Sequence, residues 1–226
     1  EKDIQLGRGE PITDSAIVIS SMVDAVMLRL SSHEDIIEFS KHSTKPVINA
    51  LSDESHPCQI LADLMTYQEQ RGSIKGKKIA WIGDGCNVCQ TYMQAANIFD
   101  FSLSIATPKG YEPSQLYVDK YQDNVEYFNK PLDACIDADI IVTDVWTSMG
   151  QESEQKEREL AFKGFQVDKE MMSKAKNDVI FMHCLPAYRG KEVSADVIDG
   201  KQSVVWDEAE NRLHVQKALL LYLIEN

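Results

Sequence analysis

The side chains best suited to chemistry follow a short apolar run in the last quarter of the sequence. His183 and Cys184 come directly after residues 179–182, which have the pattern of a buried strand. Ligands of an open α/β sheet bind at the carboxyl ends of its strands, so this pair predicts a ligand site. A thiol at such a position, near helix termini, is expected to have a lowered pKa and thiolate character. A core histidine with an inert cysteine is the alternative.

A histidine and a glutamine stand three positions apart at the start of a predicted helix over residues 56–71. Pro57 suits the first position of that helix, where its missing N–H costs nothing. The spacing puts His56 and Gln59 on one helical face, so both side chains would reach the same small substrate. The alternative is a capping histidine with a surface glutamine.

Three charged side chains have positions that suit the binding of charged ligands. Asp144 follows the predicted strand at residues 140–143 and would pair with a substrate ammonium, or else cap the next helix. Arg29 ends an apolar run, and Arg212 lies in the segment 206–212. Each guanidinium would bind phosphate or carboxylate oxygens in a fork, unless it forms an ordinary salt bridge.

The glycine-rich turn at residues 83–87 follows a predicted strand and precedes a helix, which lets the backbone approach a ligand. A dinucleotide site is a weak alternative, because Val88 replaces the third glycine of that fingerprint and the next strand ends without the ribose-binding acid. Asn87 would contact a polar ligand or act as an N-cap.

The CxxC spacing of Cys86 and Cys89 lacks a second ligand pair, so packing is expected there rather than redox or metal chemistry.

The composition predicts a globular protein without nucleic-acid or membrane partners. The chain has 226 residues, 43% of them hydrophobic and 26% charged, and its net charge of -13 argues against polyanionic partners. No apolar run reaches the roughly 18 residues of a membrane span. Five cysteines are too dispersed for a disulfide scaffold. Free thiols are therefore expected, in the cytosol or an organelle matrix, and a cytoplasmic location is the simplest case.

Alternating strand and helix patterns predict an α/β fold with parallel sheets flanked by helices. The predicted strands cover residues 25–30, 46–49, 78–82, 103–107, 125–128, 140–143, 179–182 and 203–206. A loop near residues 49–56 predicts two domains, and residues 1–49 hold too few strands for a complete sheet. The charged segment 150–165 is expected to form a solvated helix or a mobile loop beside the site.

Taken in this order, the segments 56–59, 144–150 and 183–186 resemble the ornithine carbamoyltransferases of the aspartate/ornithine carbamoyltransferase superfamily. The resemblance covers the whole chain. It implies two α/β domains, a truncated carbamoyl-phosphate-binding domain at residues 1–52 and an ornithine-binding domain at residues 53–206. A terminal helix at residues 207–226 would return to the first domain. The resemblance also implies a homotrimer if the N-terminal part is present.

The reaction implied by the resemblance is transfer of a carbamoyl group from carbamoyl phosphate to the δ-amine of L-ornithine, giving L-citrulline and phosphate. It is a step of arginine biosynthesis or of urea-cycle type, and it requires no metal and no organic cofactor. The residues implied for carbamoyl phosphate are Arg29, His56, Gln59, Cys184, Leu185 and Arg212. Those implied for ornithine are Asn87, Asp144, Ser148, Met149 and Cys184. The catalytic candidates among them are Arg29, His56, Cys184 and Arg212.

Two departures from the family pattern bear on this implication. Cys86 stands where the family commonly has asparagine, which affects local geometry but leaves Asn87 in place. The family's Ser-Thr-Arg-Thr-Arg phosphate loop is absent, and residues 43–46 do not replace it. We therefore expect a fragment that lacks the first quarter of a usual member. The alternatives are a carbamoyltransferase for putrescine or an acylated ornithine, and a non-catalytic ornithine-binding or regulatory chain.

Overall fold

The computed structural model of the chain describes residues 9–148 and 152–225. The strands are β1 (Val26–Arg29), β2 (Val47–Leu51), β3 (Lys78–Ile82), β4 (Ser102–Ala106), β5 (Val125–Phe128), β6 (Ile140–Thr143) and β7 (Ile180–His183). The helices are α1 (Ile12–Ser20), α2 (His33–His42), α3 (Pro57–Arg71), α4 (Asn87–Phe99), α5 (Gln115–Lys120), α6 (Pro131–Ala134), α7 (Gln155–Ala161), α8 (Lys169–Lys174), α9 (Ala195–Ile198) and α10 (Val205–Glu225). Within the described residues, no helix is both long and apolar enough to cross a membrane.

The larger sheet contains five parallel strands in the order β5-β4-β3-β6-β7. From β3 the chain moves outward through β4 to β5, and then returns so that β6 pairs with the free side of β3, with Ile79 opposite Ile140. Helices connect the strands, as parallel pairing requires. The carboxyl ends of β3 and β6 therefore flank the crevice in which open α/β sheets bind ligands. The predicted α/β fold with parallel sheets is confirmed.

Successive residues of the central strand β3 pack on opposite faces of this sheet. Ile79 and Trp81 belong to one buried cluster that includes side chains of α3 and α4, whereas Ala80 and Ile82 belong to a second cluster on the other face. All four side chains are fully buried. Burial of one large apolar side chain contributes on the order of 1.5–3 kcal/mol. Both faces thus fix β3 and hold the glycine-rich turn at its carboxyl end.

A two-stranded parallel sheet, β1-β2, has a separate small core. Phe39 of α2 and Ala16 of α1 are fully buried in it, together with Val26 of β1. Helix α2 begins after Ser32, whose hydroxyl accepts a backbone N–H of the first turn. Helix α3 packs against β2, α4 and α10, so it links the two sheets. The domain divisions at residues 52 and 206 stay predictions.

Three of the predicted strands have the observed bounds, and four are shifted by one or two residues. The strand predicted at residues 203–206 is wrong, because helix α10 begins within it. Ser203 forms only an isolated bridge with Phe181. The carbonyl of Val204 then accepts the N–H of Glu208, which starts the helix. Acidic residues in this first turn favour a helix amino terminus over a longer strand.

The close approach of the glycine-rich turn to the loop at residues 111–113 predicts the effect of one added methyl group. A Cβ at Gly85 would lie 2.2 Å from Pro113 N and 2.4 Å from Glu112 C, which are backbone atoms. We expect Gly85→Ala to lower the free energy of unfolding by about 3 kcal/mol, because the two loops must move apart. Gly110→Ala is the control, since its φ of +90° is strained but its surroundings are open. A loss of about 1 kcal/mol is expected there. Urea denaturation measures both, and equal losses would contradict the clash.

Candidate active site

A cleft of about 690 Å³ opens at the carboxyl ends of β3, β6 and β7. Nine of the ten predicted site residues line it: Arg29, His56, Gln59, Asn87, Asp144, Ser148, Cys184, Leu185 and Arg212. The tenth, Met149, lies outside the described residues. Segments that are far apart in the sequence therefore meet in one cavity at the crevice of the larger sheet.

His56 immediately precedes α3 at the side of the cleft that also holds two arginines. Its backbone N–H donates to Thr91 Oγ1 at 2.8 Å. Its ring Nδ1 is buried and has no hydrogen-bond partner within the described ranges. Burial, together with the charges of Arg212 and Arg29, lowers the pKa of His56 to about 3. The imidazole is therefore neutral at pH 7, with one nitrogen able to donate and the other able to accept.

The two arginines supply the positive charge at this side of the cleft. Arg29 is the exposed last residue of β1, whereas Arg212 lies on α10 and donates to Gln59 Oε1 at 2.5 Å. Each guanidinium presents several donors in a planar fork, which matches the oxygens of a phosphate group. The arrangement suits a small dianion placed beside His56.

Asp144 follows β6 and supplies negative charge elsewhere in the cleft. Its Oδ1 accepts from Cys184 Sγ at 3.1 Å and from Val145 N at 2.7 Å. Its Oδ2 accepts from Cys86 Sγ at 3.7 Å. The residue is only 8% exposed. Two thiols and one backbone N–H thus fix a carboxylate whose charge suits an ammonium group.

The predicted thiolate character of Cys184 is wrong. Burial, and then the charge of Asp144 and the hydrogen bond to it, raise the pKa of the Cys184 thiol well above its ordinary range. Cys184 is therefore a neutral S–H donor. The prediction considered nearby helix termini, but the pKa depends on burial in the folded chain and then on Asp144, which lies 40 residues earlier in the sequence.

Asn87 begins α4 at the end of the glycine-rich turn. Its Nδ2 donates to Ser52 O at 2.7 Å, and its Oδ1 accepts the N–H of Val88 at 2.9 Å. Cys86, rather than Asn87, occupies the N-cap position of α4. The carboxamide is therefore anchored to the segment after β2 while it lines the cleft.

Asp144, His183 and Cys184 form the one group in the described part of the chain whose side chains would suit a metal ion. Their ligand atoms lie within 4.8 Å of one another. His183 Nδ1 already accepts the N–H of Leu185 at 2.9 Å, and Asp144 accepts from Cys184. A cation would have to replace these hydrogen bonds. That the chemistry needs no metal and no cofactor stays a prediction.

Sequence reasoning missed a buried ion pair that also lines the cleft. Arg158 of α7 donates to Asp84 in the glycine-rich turn and to Trp146 O at 2.5 Å, and it is only 4% exposed. Its guanidinium carbon lies 4.8 Å from the ring centre of Tyr111 and 5.6 Å from that of Phe162. Burial raises the pKa of Asp84 to about 6, although the charge of Arg158 opposes this shift.

The ion pair also changes the interpretation of the charged segment 150–165. The helix alternative is confirmed by α7, but the helix is not solvated on every side. The available signal was the spacing of Arg158 and Phe162, which are four residues apart and so share one helical face. Through Arg158, this helix holds the backbone at Trp146 close to the turn after β3.

These features define the class of the protein: an α/β enzyme with a polar cleft at the switch point of a parallel sheet, with arginines and a carboxylate among the walls of that cleft. Two family models match the chain. The carbamoyl-P binding domain of aspartate/ornithine carbamoyltransferase matches residues 1–69, and the Asp/Orn binding domain matches residues 75–223. The chain belongs to the aspartate/ornithine carbamoyltransferase family.

The names of individual relatives are more specific than the name of the family. The ornithine carbamoyltransferase of Ruthia magnifica subsp. Calyptogena magnifica is 65% identical over 224 residues, which cover 99% of this chain and 75% of that protein. The ornithine carbamoyltransferase of Acinetobacter baylyi is 58% identical and is covered over 73% of its length. The solved structure of ornithine carbamoyltransferase from Pyrococcus furiosus is 49% identical with a TM-score of 0.93, covering 100% of this chain and 74% of that one. The chain thus spans about three quarters of the length of these relatives.

The lowered pKa of His56 predicts a specific dependence of stability on pH. The folded pKa is about 3 and the ordinary value is 6.5, so the unfolded chain binds a proton that the folded chain does not. His56 therefore lowers stability progressively as the pH falls from 6.5 toward 3. We expect His56→Gln to reduce the stability lost between pH 7 and pH 5 by about 2 kcal/mol. The control is His214→Gln on the exposed side of α10. Urea denaturation at both pH values measures the effect, and parallel curves for wild type and His56→Gln would refute it.

The buried ion pair predicts a non-additive double variant. Arg158→Met leaves the buried Asp84 carboxylate without its cation and should cost about 3 kcal/mol of unfolding free energy. Adding Asp84→Asn to that variant should restore at least half of the loss, because no unpaired charge remains buried. The measurement is urea denaturation of both single variants and the double variant. Losses that simply add would show that the two side chains are not coupled.

Proposed function

We propose that this chain transfers the carbamoyl group of carbamoyl phosphate to the δ-amine of L-ornithine, giving L-citrulline and phosphate. The observation that carries the proposal is the meeting of the family's site residues in one cleft, with two arginines beside His56 and the carboxylate of Asp144 beside Cys184. The close relatives named ornithine carbamoyltransferase support the same reaction.

The phosphate of the first substrate would bind beside His56. Arg29 and Arg212 supply guanidinium donors for the phosphate oxygens, and Gln59 contacts the carbamoyl group. His56 is neutral, so its ring N–H would donate to the carbamoyl oxygen as negative charge develops there. Loss of one well-placed donor to a developing oxyanion typically costs on the order of 10²–10³ in rate.

The amino-acid end of ornithine would lie near Asn87, Asp144, Ser148 and Met149, with Cys184 and the Leu185 carbonyl between the two substrates. An alkyl ammonium has a pKa of about 10.4, so the δ-amine must lose a proton before it attacks. Attack forms the new C–N bond, collapse of the tetrahedral centre breaks the C–O bond to the phosphate, and the departing phosphate takes the second proton from the nitrogen. Cys184 is a neutral thiol, so we assign it an orienting role and not that of a base.

The broader assignments rest on the family resemblance. We propose a homotrimer in the presence of the family's N-terminal part and a role in arginine biosynthesis. The five free cysteines support a reducing compartment such as the cytoplasm. The division into a carbamoyl-phosphate part at residues 1–52, an ornithine part at residues 53–206 and a returning helix at residues 207–226 belongs to the same proposal.

The test is citrulline formation by the purified chain with carbamoyl phosphate and L-ornithine, with putrescine and N-acetylornithine as competing amines. We expect citrulline from ornithine and little product from the other amines. Cys184→Ala should lower kcat/KM for ornithine by about 30-fold, since Asp144 loses one hydrogen bond to its charged carboxylate, which contributes about 2 kcal/mol. Cys135→Ala is the matched control, because Cys135 is fully buried in the core cluster that contains Ala80 and Ile82. Calorimetric binding of ornithine without citrulline formation would overturn the proposal in favour of a non-catalytic ornithine-binding chain.

A further inference from the structure

Two carboxyl groups lie beneath the floor of the cleft with no assigned role. Asp63 of α3 is 2% exposed and Glu208 of α10 is completely buried. Their hydrogen-bond partners in the described ranges are the side chains of Gln59 and Tyr92 and the backbone of His183. None of these partners is a cation. Arg212 is the nearby cation, and its charge lowers the pKa of Asp63 without a hydrogen bond to either acid in the described ranges. Two buried acids with no directly bound cation are disfavoured as two negative charges, so the pair is expected to retain one proton.

The two carboxyl groups differ in how strongly their surroundings favour the protonated form. Asp63 accepts from Gln59 Nε2 at 2.8 Å and from the hydroxyl of Tyr92 at 2.6 Å, and it also contacts Glu208. Burial raises the pKa of Asp63 to about 6, and these hydrogen bonds oppose that shift. Burial, and then the charge of Asp63, raise the pKa of Glu208 well above its ordinary range. Glu208 is therefore the protonated partner and donates to Asp63.

The same pair determines the orientation of the Gln59 carboxamide. Gln59 Nε2 lies 2.8 Å from Asp63 Oδ1 and 2.9 Å from Glu208 Oε1, whereas Gln59 Oε1 lies 2.5 Å from Arg212 Nη1. A rotated carboxamide would place its oxygen against two acceptor oxygens and its nitrogen against a guanidinium. Three contacts therefore select the orientation in which the carbonyl oxygen is on the side of Arg212, a residue of the cleft wall.

We propose that Asp63 and Glu208 are positioning residues that hold Gln59 Oε1 toward the cleft as an acceptor for the carbamoyl NH₂ group. The inference rests on the proposed function and deepens it by assigning the basis of donor specificity. A carbamoyl group presents N–H donors where an acetyl group presents a methyl group. A fixed acceptor at this position favours carbamoyl phosphate over acetyl phosphate, because only a carbamoyl N–H can donate to the second lone pair of Gln59 Oε1, whose other partner is Arg212.

Glu208 also connects this acceptor to the other substrate. Its second oxygen, Oε2, accepts the backbone N–H of His183 at 2.9 Å, directly before Cys184. One side chain thus contacts the residue that faces the carbamoyl group and the strand end that carries the thiol. Both oxygens of Glu208 accept from N–H groups, and the backbone N–H of His183 cannot reverse its polarity.

The two acids therefore differ in how they tolerate an amide. In Glu208→Gln only one oxygen remains for two N–H donors. Either the hydrogen bond from Gln59 or the one from the His183 backbone is therefore lost. In Asp63→Asn the remaining oxygen can still face Gln59, while the new NH₂ group can donate to the hydroxyl oxygen of Tyr92. A general packing role would not produce this asymmetry, because both substitutions keep the side-chain shape.

The experiment compares binding of carbamoyl phosphate and acetyl phosphate to the full chain by calorimetry. We expect wild type and Asp63→Asn to share the same preference for carbamoyl phosphate within about threefold, and Glu208→Gln to lose about tenfold of it, equivalent to one hydrogen bond. Glu210→Gln, on the exposed side of α10, is the matched control. An unchanged preference in folded Glu208→Gln, or an equal loss in Asp63→Asn, would overturn the inference.

A measurement on the wild-type protein covers the case in which Glu208→Gln does not fold. The side-chain NH₂ of Gln59 donates both protons in a buried position, so it should exchange with deuterium at least about 10²-fold more slowly than an exposed glutamine amide. NMR of ¹⁵N-glutamine-labelled protein measures this rate, and Gln59→Met identifies the signal. Exchange of the Gln59 side-chain NH₂ at the rate of an exposed amide would contradict the inference. Absence of carbamoyl phosphate binding by wild type would instead count against the proposed function, while the exchange rate still decides the positioning of Gln59.

Discussion

The pairing of β3 with both β4 and β6 is the constraint on which the site depends. Because all five strands of the larger sheet run in the same direction, their carboxyl ends open on one edge. The reversal of strand order beside β3 leaves a crevice at that edge. The glycine-rich turn after β3, Asp144 after β6 and Cys184 after β7 all reach this crevice. Gly85 lets the turn pass directly against the backbone of residues 112–113.

Ionisable groups in and below this crevice are neutralised in three different ways. Arg158 and Asp84 neutralise each other as an ion pair, with aromatic rings against the guanidinium. The His56 imidazole is neutral because it is buried near two arginines. Glu208 retains its proton because it is completely buried and Asp63 lies beside it. The chain carries a net charge of -13, yet each of these buried ionisable groups is either paired with an opposite charge or neutral.

The sequence was informative where one segment decides the outcome. Short apolar runs between polar residues predicted strands such as β3 and β6, and motif order predicted which side chains meet in the cleft. The helix start at Val205 was missed because two backbone hydrogen bonds of Phe181, made to residues 202 and 204, set where the strand-like stretch ends. The state of Cys184 and the partner of Arg158 were missed for a related reason. Each depends on a carboxylate at least 40 positions away, and no local pattern encodes that distance.

The neutral state of Cys184 suits the charge of the ligand better than a thiolate would. A thiolate beside Asp144 would place two negative charges within hydrogen-bond distance, and a buried site disfavours that strongly. A neutral thiol instead donates to the carboxylate and leaves a single negative charge for a single ammonium. His56 follows the same logic near Arg29 and Arg212, where a third positive charge would be disfavoured by burial and repulsion. The cleft therefore places a neutral thiol beside its carboxylate and a neutral imidazole beside its two arginines.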